Sequence, residues 1–435
     1  MITINALAVI GCLIFTWGLL KANKKYFVFL GYCAFMTSWA LVSCFYNEMG
    51  IFNLELGRQT ETTYATARLA GVYALFYLGA LFAARLLRRR PLGRVDYVLS
   101  RQTLRLGHLK LTAYAAIVVL GLYIAYSFST QGIPVLSGLT RLDFFKQANI
   151  VERYLIIYGS AAAFLLGYYR RKKRWFSVNG IILLAFLLFS ILIGNKFSFL
   201  ATLLVSYYAP IYVNHLTRRP GLHLFTWRQT AALAVVLAAF LLLAFASYLY
   251  KVKDISHASR ILMDRVLAFQ GQMWWVVDHD VATYGRYDAR HWQVEMDNIF
   301  APGTAADGDV GMKYIMVKTL GAEKAGSLFE RGFLYTHTYP AILIAMFPYV
   351  VAGVIQFFAG IGFLLILYYL YYTISYRHTL RAIIAMLILM PYIAMLFSGN
   401  FGTFFTLGMA VKILILIMLE MGIYRAHPSH QVRPA

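Results

Sequence analysis

The chain has 435 residues, of which 60% are hydrophobic, 16% aromatic and only 13% charged, with a mean hydropathy of +0.64. A water-soluble globular domain cannot hide that much apolar surface, whereas a bilayer can. The formal net charge of +22 does not point to nucleic acid, because the cations cluster in short breaks between apolar runs. These are Lys21, Lys24 and Lys25, then Arg85 to Arg94, then Arg170 to Arg174, then Arg218 and Arg219. The pattern is that of positive-inside cytoplasmic loops, where charge sets orientation and meets anionic lipid heads.

Taken in order, the apolar runs give about eleven spans of about 20 residues each, an all-α polytopic membrane protein. Ile2–Leu20 runs inward to the Lys21–Lys25 cluster. It lacks a basic n-region and a small-residue cleavage site, so it reads as a retained anchor with its N-terminus outside. Tyr26–Tyr46 returns, Ala65–Leu87 goes in, and Leu111–Ser129 goes out to a smaller outer loop, 130–152. Tyr154–Tyr169 comes in, and Val178–Ile193 with Ser198–Val213 forms a hairpin whose outer tip is Gly194–Asn195–Lys196. Ala231–Tyr250 leads to a large outer loop, 251–336. The run from Tyr339 to Tyr376 is too long for one span. Its first part reads as a shallow or re-entrant segment broken at Pro340 and Pro348, before a span at Val350–Ile374. Ile383–Phe397 and Phe405–Ile423 complete the set, with the C-terminus cytoplasmic. Cys12, Cys33 and Cys44 fall in apolar spans and read as packing residues, with no disulfide or zinc spacing. Without an evident internal repeat, the chain reads as a single membrane domain, 1–435.

Polar chemistry concentrates in the large outer loop. Leu262, Val266, Phe269, Met273 and Val277 recur at helical spacing, which predicts one amphipathic helix lying along the membrane surface. Residues Asn298 to Gly311 read as loop. Arginine clamps phosphate through a planar fork of donors. Arg260, Arg265, Arg286 and Arg290 lie in this loop, and Arg141 and Arg153 in or beside the smaller one. Each either meets an anionic ligand or pairs with a nearby carboxylate, as Arg260 and Asp264 do if their four-residue spacing is used. Trp274, beside Trp275, is either a platform for a sugar face or an interfacial anchor. His279, between Asp278 and Asp280, is either a tuned base or part of a solvated helix end. Lys196 either snorkels to the interface or meets phosphate. Lys412 and Arg68 fall within spans, where an ionisable group is either functional or paired in the bundle. No convergent metal-ligand set emerges.

In layout the chain resembles the Wzy-type polymerases of O-antigen and related surface polysaccharides: many spans, one moderate outer loop, then a large outer loop before the last three spans. Two segments carry the resemblance further. RILMDRVLAFQG places Arg260 and Gly271 with ten residues between them. YYRRKKRWFSVNGIILLAFLLFSILIGNKFSFLATLLV looks like the family's pair of spans joined by a Gly-x-Lys tip. His337, in YTHTYPAIL, is similar to a histidine that related O-antigen ligases carry before a span. The resemblance implies a GT-C-like helical bundle in the bacterial inner membrane. It implies an inverting, metal-free and cofactor-free glycosyltransferase that joins oligosaccharides carried on undecaprenyl pyrophosphate, with a chain-length regulator as a possible partner. Arg260, Arg265 and Lys196 would then stabilise the leaving pyrophosphate. His337, Asp278 and His279 are the candidate bases. Arg141, Arg153, Arg286, Arg290 and Trp274 would contact substrate. An O-antigen ligase using a lipid A core acceptor shares this chemistry. A transporter or flippase for a lipid-linked glycan, built on Arg68 and Lys412, is the reading from another class.

Overall fold

The computed structural model describes residues 1–53, 56–89, 150–169, 178–193, 197–218, 253–285, 287–301, 308–330, 339–399 and 401–426, with scattered positions at 114–133 and 242–249. The helices in chain order are α1 (Ile2–Ala22), α2 (Phe27–Asn47), α3 (Ala65–Arg89), α4 (Ile150–Tyr168), α5 (Val178–Leu192) and α6 (Phe197–Arg218). There follow α7 (Ile255–Leu267), α8 (Phe269–Tyr284), α9 (His291–Phe300), α10 (Gly311–Leu320), α11 (Ala322–Glu330) and α12 (Tyr339–Met346). The last three are α13 (Tyr349–Ser375), α14 (Thr379–Ser398) and α15 (Leu407–Ala426). A two-residue antiparallel hairpin, β1 (Phe52–Asn53) with β2 (Arg58–Gln59), sits between α2 and α3.

Five helices among the described residues are long and apolar enough to cross a membrane: α1, α2 with the turn before it, α3 through Leu87, α13 and α14. The expected span Ala231–Tyr250 falls largely outside the described residues, and Leu111–Ser129 is described at about half its positions, where it is helical. On α1, Ile2, Ile4, Leu7, Ile10, Ile14 and Trp17 are each at least half exposed, which suits a helix facing lipid tails rather than water. The tightest helix pair is α3 against α13. A Cβ on Gly79 would lie 1.9 Å from the Phe357 carbonyl oxygen, and one on Gly360 would lie 1.9 Å from that of Phe76. Backbone touches backbone at this crossing, which is how small residues let apolar helices associate where water supplies no driving force. Gly167 of α4 meets the Tyr207 carbonyl of α6 in the same way, at 2.0 Å.

The segment α7–α12 folds over one end of this bundle, where α2 ends and α3 and α13 begin. Here the structure corrects the expectation of a single surface helix. The helix breaks at Ala268, and the second piece is buried continuously from Gly271 to Asp278. The reason is in the residues: Met273-Trp274-Trp275-Val276-Val277 is apolar on every face, so this stretch of α8 has no polar side to turn toward headgroups. α9, α10 and α11 are helices to which the periodicity assigned nothing. α12 has eight residues, all buried, and is too short to cross a bilayer. The chain breaks at Pro348, as its fixed φ and missing N–H require, while Pro340 falls in the first turn of α12, where proline is tolerated. Lys24, Lys25, Arg377 and Arg381 gather at the other end, where the Tyr212 hydroxyl donates to the Lys24 carbonyl at 2.8 Å.

Candidate functional site

Polar groups at the covered end form a buried lock. Glu48, 1% exposed, lies at the N-terminus of α3 and accepts from the backbone N–H groups of Thr63 (2.8 Å), Ala65 (3.2 Å) and Thr66 (2.9 Å). The Thr63 hydroxyl at 2.7 Å, the Asn5 amide at 2.7 Å and the Thr66 hydroxyl also donate to it. A carboxylate at a helix N-terminus satisfies orphan donors and meets the positive end of the dipole. One turn on, Arg68 grips Asp278 with both arms of its fork, Nε to Oδ1 at 2.8 Å and Nη2 to Oδ2 at 2.5 Å. The Tyr349 hydroxyl donates to Asp278 Oδ1 at 2.8 Å. Asp278 is wholly buried, whereas the Arg68 side chain remains 29% exposed. Burial pushes the Asp278 carboxyl above its ordinary range, against the pull of Arg68 and Tyr349.

Around this lock, amides and indoles bind α7 and α8 to the bundle. Asn47 donates to the Ala268 carbonyl at 2.8 Å, and Asn53 donates to Gln272 Oε1 at 3.1 Å. The Trp39 indole reaches the Val266 carbonyl at 2.6 Å, and the Gly271 N–H reaches Ser43 Oγ at 2.7 Å. Trp274 and Trp275 donate to the carbonyls of Ala65 at 2.8 Å and Glu61 at 3.1 Å, and both are at most 2% exposed. Neither a sugar platform nor an interfacial anchor can be that deeply enclosed; these two are core residues. Gly271, the glycine of the Arg–Gly spacing, is where α8 touches α2. A Cβ there would lie 2.1 Å from the Cys44 backbone nitrogen.

The accessible chemistry lies on α7. Its first turn is capped by Asp254, which accepts from the Ser256 N–H at 3.0 Å. Arg260 is exposed, and Arg265 is half-buried with its guanidinium 5.9 Å from the Phe269 ring centre. Asp264 lies between them in sequence. Its Oδ2 is buried without a hydrogen-bond partner, and burial raises its carboxyl while Arg260 pulls it down. The sequence placed Arg260 and Asp264 as a possible pair, yet the structure leaves that oxygen open. His279, on α8, is 20% exposed, with Nε2 3.7 Å from Glu61 and Nδ1 3.7 Å from Asp280. Its ring lies 5.5 Å from that of Trp275.

A further cluster was not anticipated. His291 is buried, stacks on Tyr314 with ring centres 3.4 Å apart, and contacts Glu295 at 3.2 Å; Glu295 also accepts from the Gly311 N–H. Its signal in the sequence was the four-residue spacing of His291 and Glu295, which places them on one helix face. Arg290 is exposed at the start of α9, where its backbone N–H donates to Asp288 at 3.1 Å. Lys412 is half-buried on α15. Arg141, Lys196, Arg286 and His337 lie outside the described residues, as does the side chain of Arg153, whose backbone belongs to α4. Among the described residues, no three His, Cys, Asp or Glu side chains converge to hold a metal ion.

Residues 305–413 match the model of a family of unknown function, DUF6418. The match begins ahead of α10 and runs into the first part of α15. It takes in Tyr349 and leaves Arg68, Asp264 and Asp278 outside. No curated protein and no solved structure matches the chain.

Proposed function

We propose that this membrane protein is an inverting glycosyltransferase of the polysaccharide-polymerase kind, acting on oligosaccharides carried by undecaprenyl pyrophosphate. The observation that carries the reading is Asp264, a carboxylate with an open, buried oxygen, set between Arg260 and Arg265 on a helix docked over one end of an apolar bundle. A perturbed carboxyl beside fork-shaped cations is the pairing that this transfer needs. The acceptor hydroxyl oxygen bonds to the anomeric carbon of the donor glycan as the bond from that carbon to the pyrophosphate oxygen breaks. The leaving pyrophosphate keeps the electron pair, and Arg260 and Arg265 offset its charge. Asp264 takes the hydroxyl proton, with His279 the next candidate among the described residues. Asp278 is a positioning residue in this scheme, since its buried carboxyl is committed to Arg68 and Tyr349. The finer architecture belongs to the same proposal: about eleven spans in a GT-C-like bundle. The bundle sits in the bacterial inner membrane, with the N-terminus and 251–336 periplasmic and the C-terminus cytoplasmic. Its support is the separation of the docked segment from the cation-rich end carrying Lys24, Lys25, Arg377 and Arg381.

The test is the surface polysaccharide of a deletion strain complemented with variants. Loss of the gene is expected to leave a single repeat unit on its carrier, and Asp264→Asn is expected to reproduce that banding at normal protein level. Bare acceptor in the deletion strain would instead indicate a ligase or flippase. Normal chain lengths with Asp264→Asn would remove Asp264 from the chemistry.

A further inference from the structure

Asp288 is an exposed carboxylate of the docked segment that is nonetheless held from several sides. It lies in the turn between α8 and α9, where its backbone N–H donates to the Ala345 carbonyl of α12 at 2.7 Å. Its Oδ1 accepts from the Arg290 N–H at 3.1 Å, and the Tyr314 hydroxyl of α10 donates to its Oδ2 at 3.4 Å. Tyr314 is fixed in turn by the buried His291 ring stacked on it, and His291 by the buried Glu295. A carboxylate in water needs no such support. Support of this kind removes orientational freedom that a ligand would otherwise have to remove on binding. Lys318 stands one turn beyond Tyr314 on the same face of α10, half-buried, with its ammonium 5.7 Å from the Tyr314 ring centre. Burial pushes that ammonium below the ordinary lysine range, while Asp288 and Asp280 pull it back up. Tyr287, beside Asp288 in the chain, is 50% exposed.

We propose that Asp288, Lys318 and Tyr287 form a glycan subsite, in which Asp288 accepts from sugar hydroxyls, Lys318 donates to a sugar oxygen and the Tyr287 ring covers a C–H face. The chemical class follows from the mixture of groups. A phosphate would be repelled by Asp288 and Asp280, and a simple cation would leave Lys318 and the phenol ring unused. A sugar offers donors, acceptors and an apolar face together. The choice of ligand rests on the glycosyltransferase reading, whereas the residues are separate from Arg260, Asp264 and Arg265, which perform the transfer in it.

The experiment follows, by fluorescence anisotropy, an oligosaccharide binding to the purified full chain in nanodiscs. The probe is the repeat-unit oligosaccharide released by mild acid from the lipid-linked pool of the source strain and labelled at its reducing end. Asp288→Ala is expected to weaken binding about tenfold, the loss of a hydrogen bond to a charged group, and Asp288→Asn, which keeps an acceptor, less. Tyr314→Phe keeps the ring against His291 and removes only the hydroxyl that steadies Asp288. It is expected to weaken binding about threefold at unchanged thermal unfolding, which separates orientation of the carboxylate from loss of the fold. His257→Gln, an exposed change on α7, is expected to alter affinity little. Equal affinity in the parent chain and Asp288→Ala would overturn the subsite, as would the absence of saturable binding by the parent. An equal loss with His257→Gln would place the sugar elsewhere and overturn it as well. Normal polymer from Asp264→Asn, together with oligosaccharide binding that Asp288→Ala abolishes, would refute the transferase reading and leave the subsite standing.

Discussion

The Arg68–Asp278 pair gives an order of effects that depends on which partner is removed. Asp278 is wholly buried and Arg68 is 29% exposed, so the two cannot be equally costly to orphan. In Arg68→Met the carboxyl keeps only the Tyr349 hydroxyl. Breaking a buried pair in this way costs about 3–5 kcal/mol. An independent bound comes from titration: protonating a carboxyl of ordinary pKa 3.8 near pH 7 costs about 4 kcal/mol, so the variant escapes into the neutral form at close to the same cost. In Asp278→Asn the guanidinium can still reach water, and the loss is that of a charged hydrogen bond, about 1.5–3 kcal/mol. Arg68→Met combined with Asp278→Leu removes both charges and is expected to recover most of the single-variant loss. The pH dependence has a definite sign. A carboxyl whose folded pKa is raised holds its proton longer folded than unfolded. Its contribution is therefore full below the unfolded value and is lost as pH rises through the folded one. For the parent chain that window opens just above the ordinary carboxylate range. In Arg68→Met it extends toward neutral, so stability should fall as pH rises, by up to about 1.36 kcal/mol per unit. Thermal unfolding in detergent micelles, followed by the emission of the buried Trp274 and Trp275, measures both quantities. If Asp278→Asn proves the more damaging single change, or if Arg68→Met unfolds at one temperature throughout the pH range, the pair does not work as described.

Three shorter predictions follow from other contacts. Gly271→Ala forces a methyl to within 2.1 Å of the Cys44 backbone nitrogen, so folded yield should collapse, while Gly285→Ala, where a Cβ meets nothing, should cost only about 1 kcal/mol of left-handed strain; similar yields would place the α2–α8 contact elsewhere. A cysteine at the exposed position Ala322 should react with an impermeant maleimide in intact spheroplasts, and protection there together with labelling at Tyr376 would reverse the proposed orientation. Arg260→Ala should slow transfer by about two to three decades with unchanged thermal stability, because the side chain is exposed and bonds no buried group; wild-type chain lengths would show that it binds no leaving group.

The amino-acid sequence by itself determined that this chain belongs in a membrane and is helical, because span length and apolar content are local properties that a bilayer reads residue by residue. It also located the break at Pro348, a consequence of proline's own covalent geometry. It singled out Arg68, Arg260, Arg265, Asp278 and His279 as residues needing an explanation, since charge beside or within apolar runs is costly wherever it falls. Only the tertiary structure decided which of them meet. Arg68 and Asp278 are 210 residues apart, and no spacing rule joins them. Arg260 and Asp264 have the right spacing for a pair, yet the Asp264 oxygen stays open, because packing of α7 on the bundle fixes where each side chain points. The tandem tryptophans look the same in sequence whether they face headgroups, sugar or core. Their burial follows from the run Met273–Val277 being apolar on all sides and from a glycine that lets α8 lie directly on α2, and contact between such distant segments is a property of the whole fold.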